Sequence, residues 1–216
     1  MLRSLNELAG YKVIATDGDA GSVADFFFED ENWAISDVVI DTGKVFRGRK
    51  VLISPEKVGK PDGKNMQFPV NITKTVVRDS AGVSTKVPIS QQKGEEGQST
   101  PPVSPQNPHL RSADEVTEYA IQATDGEIGH VEDFIVEDDS WKIRYLVVDT
   151  RKWLMGKKVL IGTDWFDRID WSESKFYLDH KREDIKNCPE YDPNEPINRK
   201  TEEILYDYHG RPHYWS

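Results

Sequence analysis

One feature limits this chain more than any other: about a quarter of it is written a second time. Leu2-Arg3-Ser4 returns as Leu110-Arg111-Ser112, and the offset of 108 residues then holds without a gap to Val51-Leu52-Ile53 and Val159-Leu160-Ile161. About half of the aligned positions carry the same residue. Ala15-Thr16-Asp17-Gly18 pairs with Ala123-Thr124-Asp125-Gly126, Gly21 with Gly129, Trp33 with Trp141, and Asp41-Thr42 with Asp149-Thr150. Solenoid repeats recur every 20–50 residues or so, and a far longer period signifies duplicated domains.

Residues 80–108 separate the copies. They are rich in Ser, Gln, Gly and Pro and lack apolar periodicity, as in Gln91-Gln92-Lys93-Gly94 and Pro101-Pro102-Val103-Ser104-Pro105. Such a stretch cannot bury enough surface to offset its ordering entropy, so it reads as a flexible linker. The expected layout is domain 1 over 1–79, linker over 80–108, domain 2 over 109–193, and a helix with an aromatic tail over 194–216.

Each copy reads as short strands joined by tight turns. Tyr11 to Ala15 forms a strand, and Asp17-Gly18 (Asp125-Gly126) supplies two positive-φ residues for a type I′ hairpin. Gly21 and Gly129 stand where a bulge would bend the returning strand. That strand runs from Ser22 to Glu29 and ends in the acidic turn Asp30-Glu31-Asn32. Trp33 to Asp41 and Lys50 to Ile53 follow as strands, with Lys158 to Ile161 as the second copy of the last. Asp164 to Ile169 is expected to make a helical turn, and Ser174 to Leu178 a further strand matching Gln67 to Val70. Ile197, Ile204, Leu205 and Tyr208 lie at helical spacing, with Gly210 where a helix C-cap belongs. Several short strands at close spacing with few helical stretches indicate an all-β fold, a barrel or a sandwich, in each copy.

The run from Thr124 to Phe134, continued by Arg144-Tyr145-Leu146-Val147-Val148-Asp149-Thr150, resembles the PRC-barrel family. Arg182 to Pro193 and Tyr206 to Pro212 look like the tandem PRC-barrel proteins of bacteria. The family is named for the cytoplasmic domain of the photosynthetic reaction centre H subunit, and it includes the C-terminal domain of the ribosome maturation factor. The resemblance implies two PRC-type β-barrels in tandem that work by contact with other proteins. The membrane-spanning helix of the H subunit and the companion domain of the maturation factor have no counterpart in this sequence.

Net charge is −10. Nucleic-acid binders neutralise phosphates with Lys and Arg, and here those residues are spread among Asp and Glu, so no nucleic-acid partner is expected. No apolar run approaches the roughly 18 residues of a membrane span, and the first residues lack a secretory signal's apolar stretch. A cytoplasmic protein without membrane insertion is expected, and association with a membrane complex would need a protein receptor. The single cysteine, Cys188, excludes an intrachain disulfide and a cysteine-based zinc cage.

The chemistry-bearing residues point away from catalysis. His209 and His213 have i, i+4 spacing, but Gly210 and Pro212 break the helix that would aim both at a metal. His130 falls on a strand. Asp17 and Asp125 resemble the start of a calcium loop, yet position twelve holds Phe28 and Val136, where the loop requires a bidentate Glu. Glu29-Asp30-Glu31 and Glu137-Asp138-Asp139 read as solvated turn residues. Asp25 and Asp133 interrupt apolar strands and are expected to bond backbone freed by the bulge. The basic pairs Arg49-Lys50 and Lys157-Lys158 adjoin apolar stretches, and an aromatic and Met-bearing loop can anchor an interface. Phe46, Trp153, Leu154 and Met155, with Tyr214 and Trp215 of the tail, are the candidate protein-contact residues. No catalytic residue, cofactor or metal ligand is assigned.

The leading expectation is a non-enzymatic adaptor or regulatory scaffold whose partners are other proteins or a second copy of itself. A ligand-binding or enzymatic barrel with a pocket between the repeats is the alternative, and a ribosome- or RNA-linked accessory role a further one.

Overall fold

The computed structural model describes residues 1–43, 48–88, 107–150 and 156–215. Copy one contains β1 (Leu2–Ser4), α1 (Leu5–Leu8), β2 (Lys12–Ala15), β3 (Gly18–Glu29), β4 (Ala34–Asp41), β5 (Lys50–Ile53), β6 (Gln67–Pro69) and α2 (Lys74–Asp79). Copy two contains β7 (Leu110–Ser112), α3 (Ala113–Val116), β8 (Ala120–Ala123), β9 (Gly126–Glu137), β10 (Lys142–Asp149), β11 (Lys158–Gly162), β12 (Phe166–Asp170), β13 (Lys175–Leu178) and α4 (Arg182–Asn187). The chain closes with α5 (Arg199–His209).

The 108-residue offset outlasts the sequence similarity. Past Ile53 the copies share few residues, yet Gln67 answers to Lys175 at the start of β6 and β13, and Lys74 to Arg182 at the start of α2 and α4. Left-handed residues recur at the same offset: Trp33 (φ 58°) and Trp141 (φ 54°), Met66 (φ 50°) and Ser174 (φ 56°). Backbone shape has been kept where side chains have not.

The chain forms two compact units that cut across the copies. One comprises Ser4–Glu115 and Glu137–Lys142, the other Met1–Arg3, Val116–Val136 and Ile143–Ser216. Each unit therefore takes its copy's first strand from the opposite repeat.

In the amino-terminal unit the strands run β6-β2-β3-β4-β5. β6 and β2 are parallel, the rest antiparallel. β7 joins β3 through Phe27↔Ser112, Phe28↔Arg111 and Glu29↔Leu110. The run Phe26-Phe27-Phe28 is buried on both faces of the strand, and a strand so covered has no reason to alternate. Phe27 packs with Val39, Leu52 and Leu110. On the opposite face Phe26 meets Phe68 and the Trp141 ring, each at 6.3 Å, and the Trp141 carbonyl accepts from Ile35 N at 2.8 Å. In the carboxy-terminal unit the order is β12-β13-β8-β9-β10-β11, with β1 on β9. Neither hydrogen-bond ladder returns to its starting strand, so these all-β sheets are not closed.

Three turns and strands differ from the sequence reading. The Asp17-Gly18 hairpin is not type I′: the two loop residues are Thr16 and Asp17, Ala15 faces Gly18, and only Gly18 has positive φ (124°). A turn followed by a glycine bulge fits this pattern. Tertiary contacts select it, since Asp17 Oδ1 accepts from Lys74 N at 2.7 Å, capping the start of α2, as Asp125 Oδ1 caps α4 through Arg182 N at 2.8 Å. Asp164 to Ile169 contains no helical turn. Phe166–Asp170 is a strand antiparallel to β13, fixed by the Phe166–Phe176 ring contact at 4.9 Å and the Arg168 guanidinium 3.8 Å above Tyr177. Asp30 and Asp138 are not solvated. Asp30 is ion-paired to Arg111 at 2.6 Å and bonded to His109 Nδ1 at 2.9 Å, because β7 lies alongside; Asp138 is also buried.

Two expectations match. The pairing of β2 with β3 shifts by one residue between Val13 and Ile14, opposite Gly21, where the bulge was placed. Asp25 sits at a second shift and accepts from Phe26 N at 2.7 Å, Ser112 Oγ at 2.6 Å and Asp114 N at 3.1 Å. Asp133 likewise accepts from Phe134 N at 2.7 Å. The basic residues before the fourth strands are helix caps: Arg49 donates to the Arg78 and Ser80 carbonyls, and Lys157 to those of Lys186 and Cys188. No helix among the described residues is long and apolar enough to cross a membrane.

Candidate functional site

What distinguishes the second copy is the segment that follows it. α5 is capped at its start by Asn198, whose side chain accepts from Thr201 N, and at its end by Gly210 in the left-handed conformation (φ 61°). Its buried residues, Glu202, Leu205 and Tyr206, follow the i, i+3, i+4 rule of one helix face. The other face leaves Ile204 51% and Tyr208 40% exposed.

A charged residue lies at the centre of the buried face. Glu202 is 3% exposed; its Oε1 accepts from Tyr145 Oη at 2.7 Å and Tyr214 Oη at 2.8 Å, and its Oε2 pairs with Arg199 at 3.0 Å. A buried carboxylate needs this degree of satisfaction. Burial and the Glu202 carboxylate hold the Tyr145 hydroxyl firmly protonated. Burial, followed by the bond to Glu202, pushes Tyr214 up to about 12. Around this centre Tyr206 meets Trp165 at 5.1 Å and Trp215 at 5.2 Å.

At the helix C-terminus, His209 Nε2 lies 3.4 Å from Cys188 Sγ and His209 Nδ1 lies 3.3 Å from His180 Nε2. The Trp165 ring covers His209 at 4.6 Å. Burial, then His180 and Arg211, lowers His209 to about 4. Burial pushes the Cys188 thiol up to about 12, a poor state for a nucleophile. Cys188 should accordingly react with a thiol reagent at the rate of unfolding; rapid, stoichiometric labelling of the native protein would contradict its burial.

The His209 shift sets a pH dependence. Its folded value lies below the unfolded 6.5, so the unfolded chain binds more protons between the two. Stability is full above about pH 6.5 and falls toward pH 4, where the loss levels off. The nominal ~3 kcal/mol, reduced for partial solvent screening, becomes about 1–2 kcal/mol. Urea unfolding followed by tryptophan fluorescence should show this loss, and His209→Gln should flatten it.

Tyr214 and Trp215, named from the sequence as contact residues, are half-buried against their own chain. Arg144 lies 4.2 Å over the Tyr214 ring, and Trp215 stacks on His213 at 4.6 Å with Arg199 4.1 Å over it. Phe46, Trp153, Leu154 and Met155 lie outside the described residues. His213 pairs with Asp207 at 3.4 Å. His130 is on β9, 3.7 Å from Glu118. Sequence reasoning missed Glu202 and Tyr145. The signal was present: Glu202 stands three residues before Leu205, on the apolar face.

Beside α5 lies a groove of about 220 Å³, walled by Leu160 of β11, the segment 189–197, and Thr201 and Leu205. Tyr191 N donates to the Lys158 carbonyl at 2.8 Å and holds the segment along β11.

Residues 110–185 match the PRC-barrel domain. That stretch runs from β7 into α4 and takes in about a third of the chain, so the PRC-barrel match and the all-β fold of the second copy agree. No curated protein matches the chain. The groove's far wall and α5 lie beyond the PRC-barrel stretch, as additions to it.

Proposed function

We propose that this protein is a non-enzymatic adaptor or regulatory scaffold that works in the cytoplasm through two PRC-type barrels in tandem, the first being residues that repeat the matched domain. Its partners are other proteins or a second copy of itself. The observation that carries this reading is the PRC-barrel match of residues 110–185, a family built for contact with other proteins. The internal repeat supports extending it to copy one. Several buried polar groups have structural partners: Asp25 accepts from Asp114 N at the start of α3, Asp30 pairs with Arg111, Glu202 is bonded by two tyrosines, and burial holds Cys188 as a thiol.

Affinity capture from the native host, followed by mass spectrometry, tests the proposal. A stoichiometric partner protein, lost when Ile204 is changed to Glu on the exposed face of α5, is the expected result. Recovery of the chain alone with a retained small molecule or metal in native mass spectrometry would overturn it.

A further inference from the structure

The groove beside α5 has a size and a charge pattern that restrict what enters it. Its floor is apolar: Leu160 and Leu205 are each 3% exposed, and Pro189, Pro196 and Ile197 complete the wall. Its rim is acidic, with Glu190, Asp192 and Glu195 exposed around the opening. Among the described residues neither Glu190 nor Glu195 has an ion-pair partner, and Asp192 is bonded only within its own turn, to Asn194. Copy one differs here. There Val83 packs on the equivalent strand residue, Leu52, within one apolar cluster.

Size disfavours one class of occupant. Small-molecule and cofactor sites occupy roughly 300–1,000 Å³, and a groove of about 220 Å³ is below that range. It has room for one large side chain. The rim excludes another class, because carboxylates repel phosphates of nucleic acids and anionic lipids. What suits both floor and rim is an apolar anchor with cations beside it, the pairing of a filled pocket with a complementary charged edge that characterises interface hot spots.

We propose that this groove binds a partner protein through a single large apolar side chain, such as Trp, Phe, Leu or Met, presented between Lys or Arg residues. The apolar side chain covers Leu160 and Leu205, and the flanking cations meet Glu190, Asp192 and Glu195. The proposal rests on the adaptor reading and gives that reading its recognition rule.

A displayed random heptapeptide library, selected on the full-length protein at low salt, tests it. Enriched peptides should carry one large apolar residue flanked by Lys or Arg. The best of them, synthesised, should lose at least tenfold in affinity for Thr201→Trp, which overfills the groove from an exposed helix position. It should lose as much for the double variant Glu190→Lys, Glu195→Lys, which reverses the rim without touching the core. Its affinity should also fall with added salt, and Lys64→Glu, on the other unit, should leave it unchanged. Failure to enrich such peptides, or equal binding to wild type and both groove variants, overturns the groove. Capture of a host protein by the wild-type chain is scored separately, so a failed groove and a failed adaptor reading give different results.

Discussion

Replacing Gly21 with alanine should destabilise the amino-terminal unit by more than about 4 kcal/mol, a loss reserved for a few severe mechanisms and comparable to a small domain's whole stability. Gly21 has φ 128°, and a Cβ built there would stand 2.2 Å from the Asp41 carbonyl oxygen and 2.9 Å from Thr42 Cα. Backbone on the neighbouring strand cannot move aside as a flexible side chain would. Gly129 repeats the geometry at φ 155° and 2.0 Å from the Asp149 carbonyl oxygen, so Gly129→Ala should do the same to the other unit. Gly10 provides the control. It too has positive φ (80°), but nothing lies within 4 Å of its Cβ position. Copy two has a glutamate, Glu118, at the matching position with φ 77°. Gly10→Ala should therefore cost only about 1 kcal/mol. Urea midpoints of the three variants measure the difference, and a wild-type midpoint for Gly21→Ala would contradict the close approach of β3 to β4.

The second large effect is expected at Glu202. Glu202→Ala removes the shared acceptor of Tyr145 and Tyr214 and the partner of Arg199. Two tyrosine hydroxyls are left without that acceptor, which costs about 2–4 kcal/mol, whereas the half-exposed Arg199 loses little. The loss falls on the docking of α5, so protease sensitivity near 194–200 should rise before global unfolding. The pair Glu202→Leu with Tyr145→Phe should recover part of the loss, because removing both partners costs less than orphaning one. Strict additivity in that double mutant cycle would mean that the Tyr145 bond holds nothing in place.

The local parts of the fold were legible in the sequence. Strand positions, the bulge at Gly21 and the C-cap at Gly210 each depend on a few adjacent residues with strong preferences. The misread parts depend on distant ones. The Thr16-Asp17 turn takes its form from Lys74 N, 57 residues away. Phe166–Asp170 is held extended by cross-strand contacts with β13 that override its local pattern. Asp30 looked solvated because Arg111, its partner, lies in the other copy. Glu202 was masked by its residue type, since a glutamate on a helix, here beside Glu203, is ordinarily a surface residue. His209 and His180, which the fold brings beside Cys188, are 21 and 8 residues from it in the chain and carry no local signal of that contact.

The exchange of first strands also changes what a break in the chain means. A cut between residues 88 and 107 yields two pieces, yet β7 of the second remains seated on β3 of the first, and β1 of the first on β9 of the second. Covalent continuity and structural continuity are thus separate properties of this molecule. The two fragments make a natural complementation pair: either one produced alone lacks an edge that only the other supplies, and mixing them should restore what the intact gene encodes in one piece.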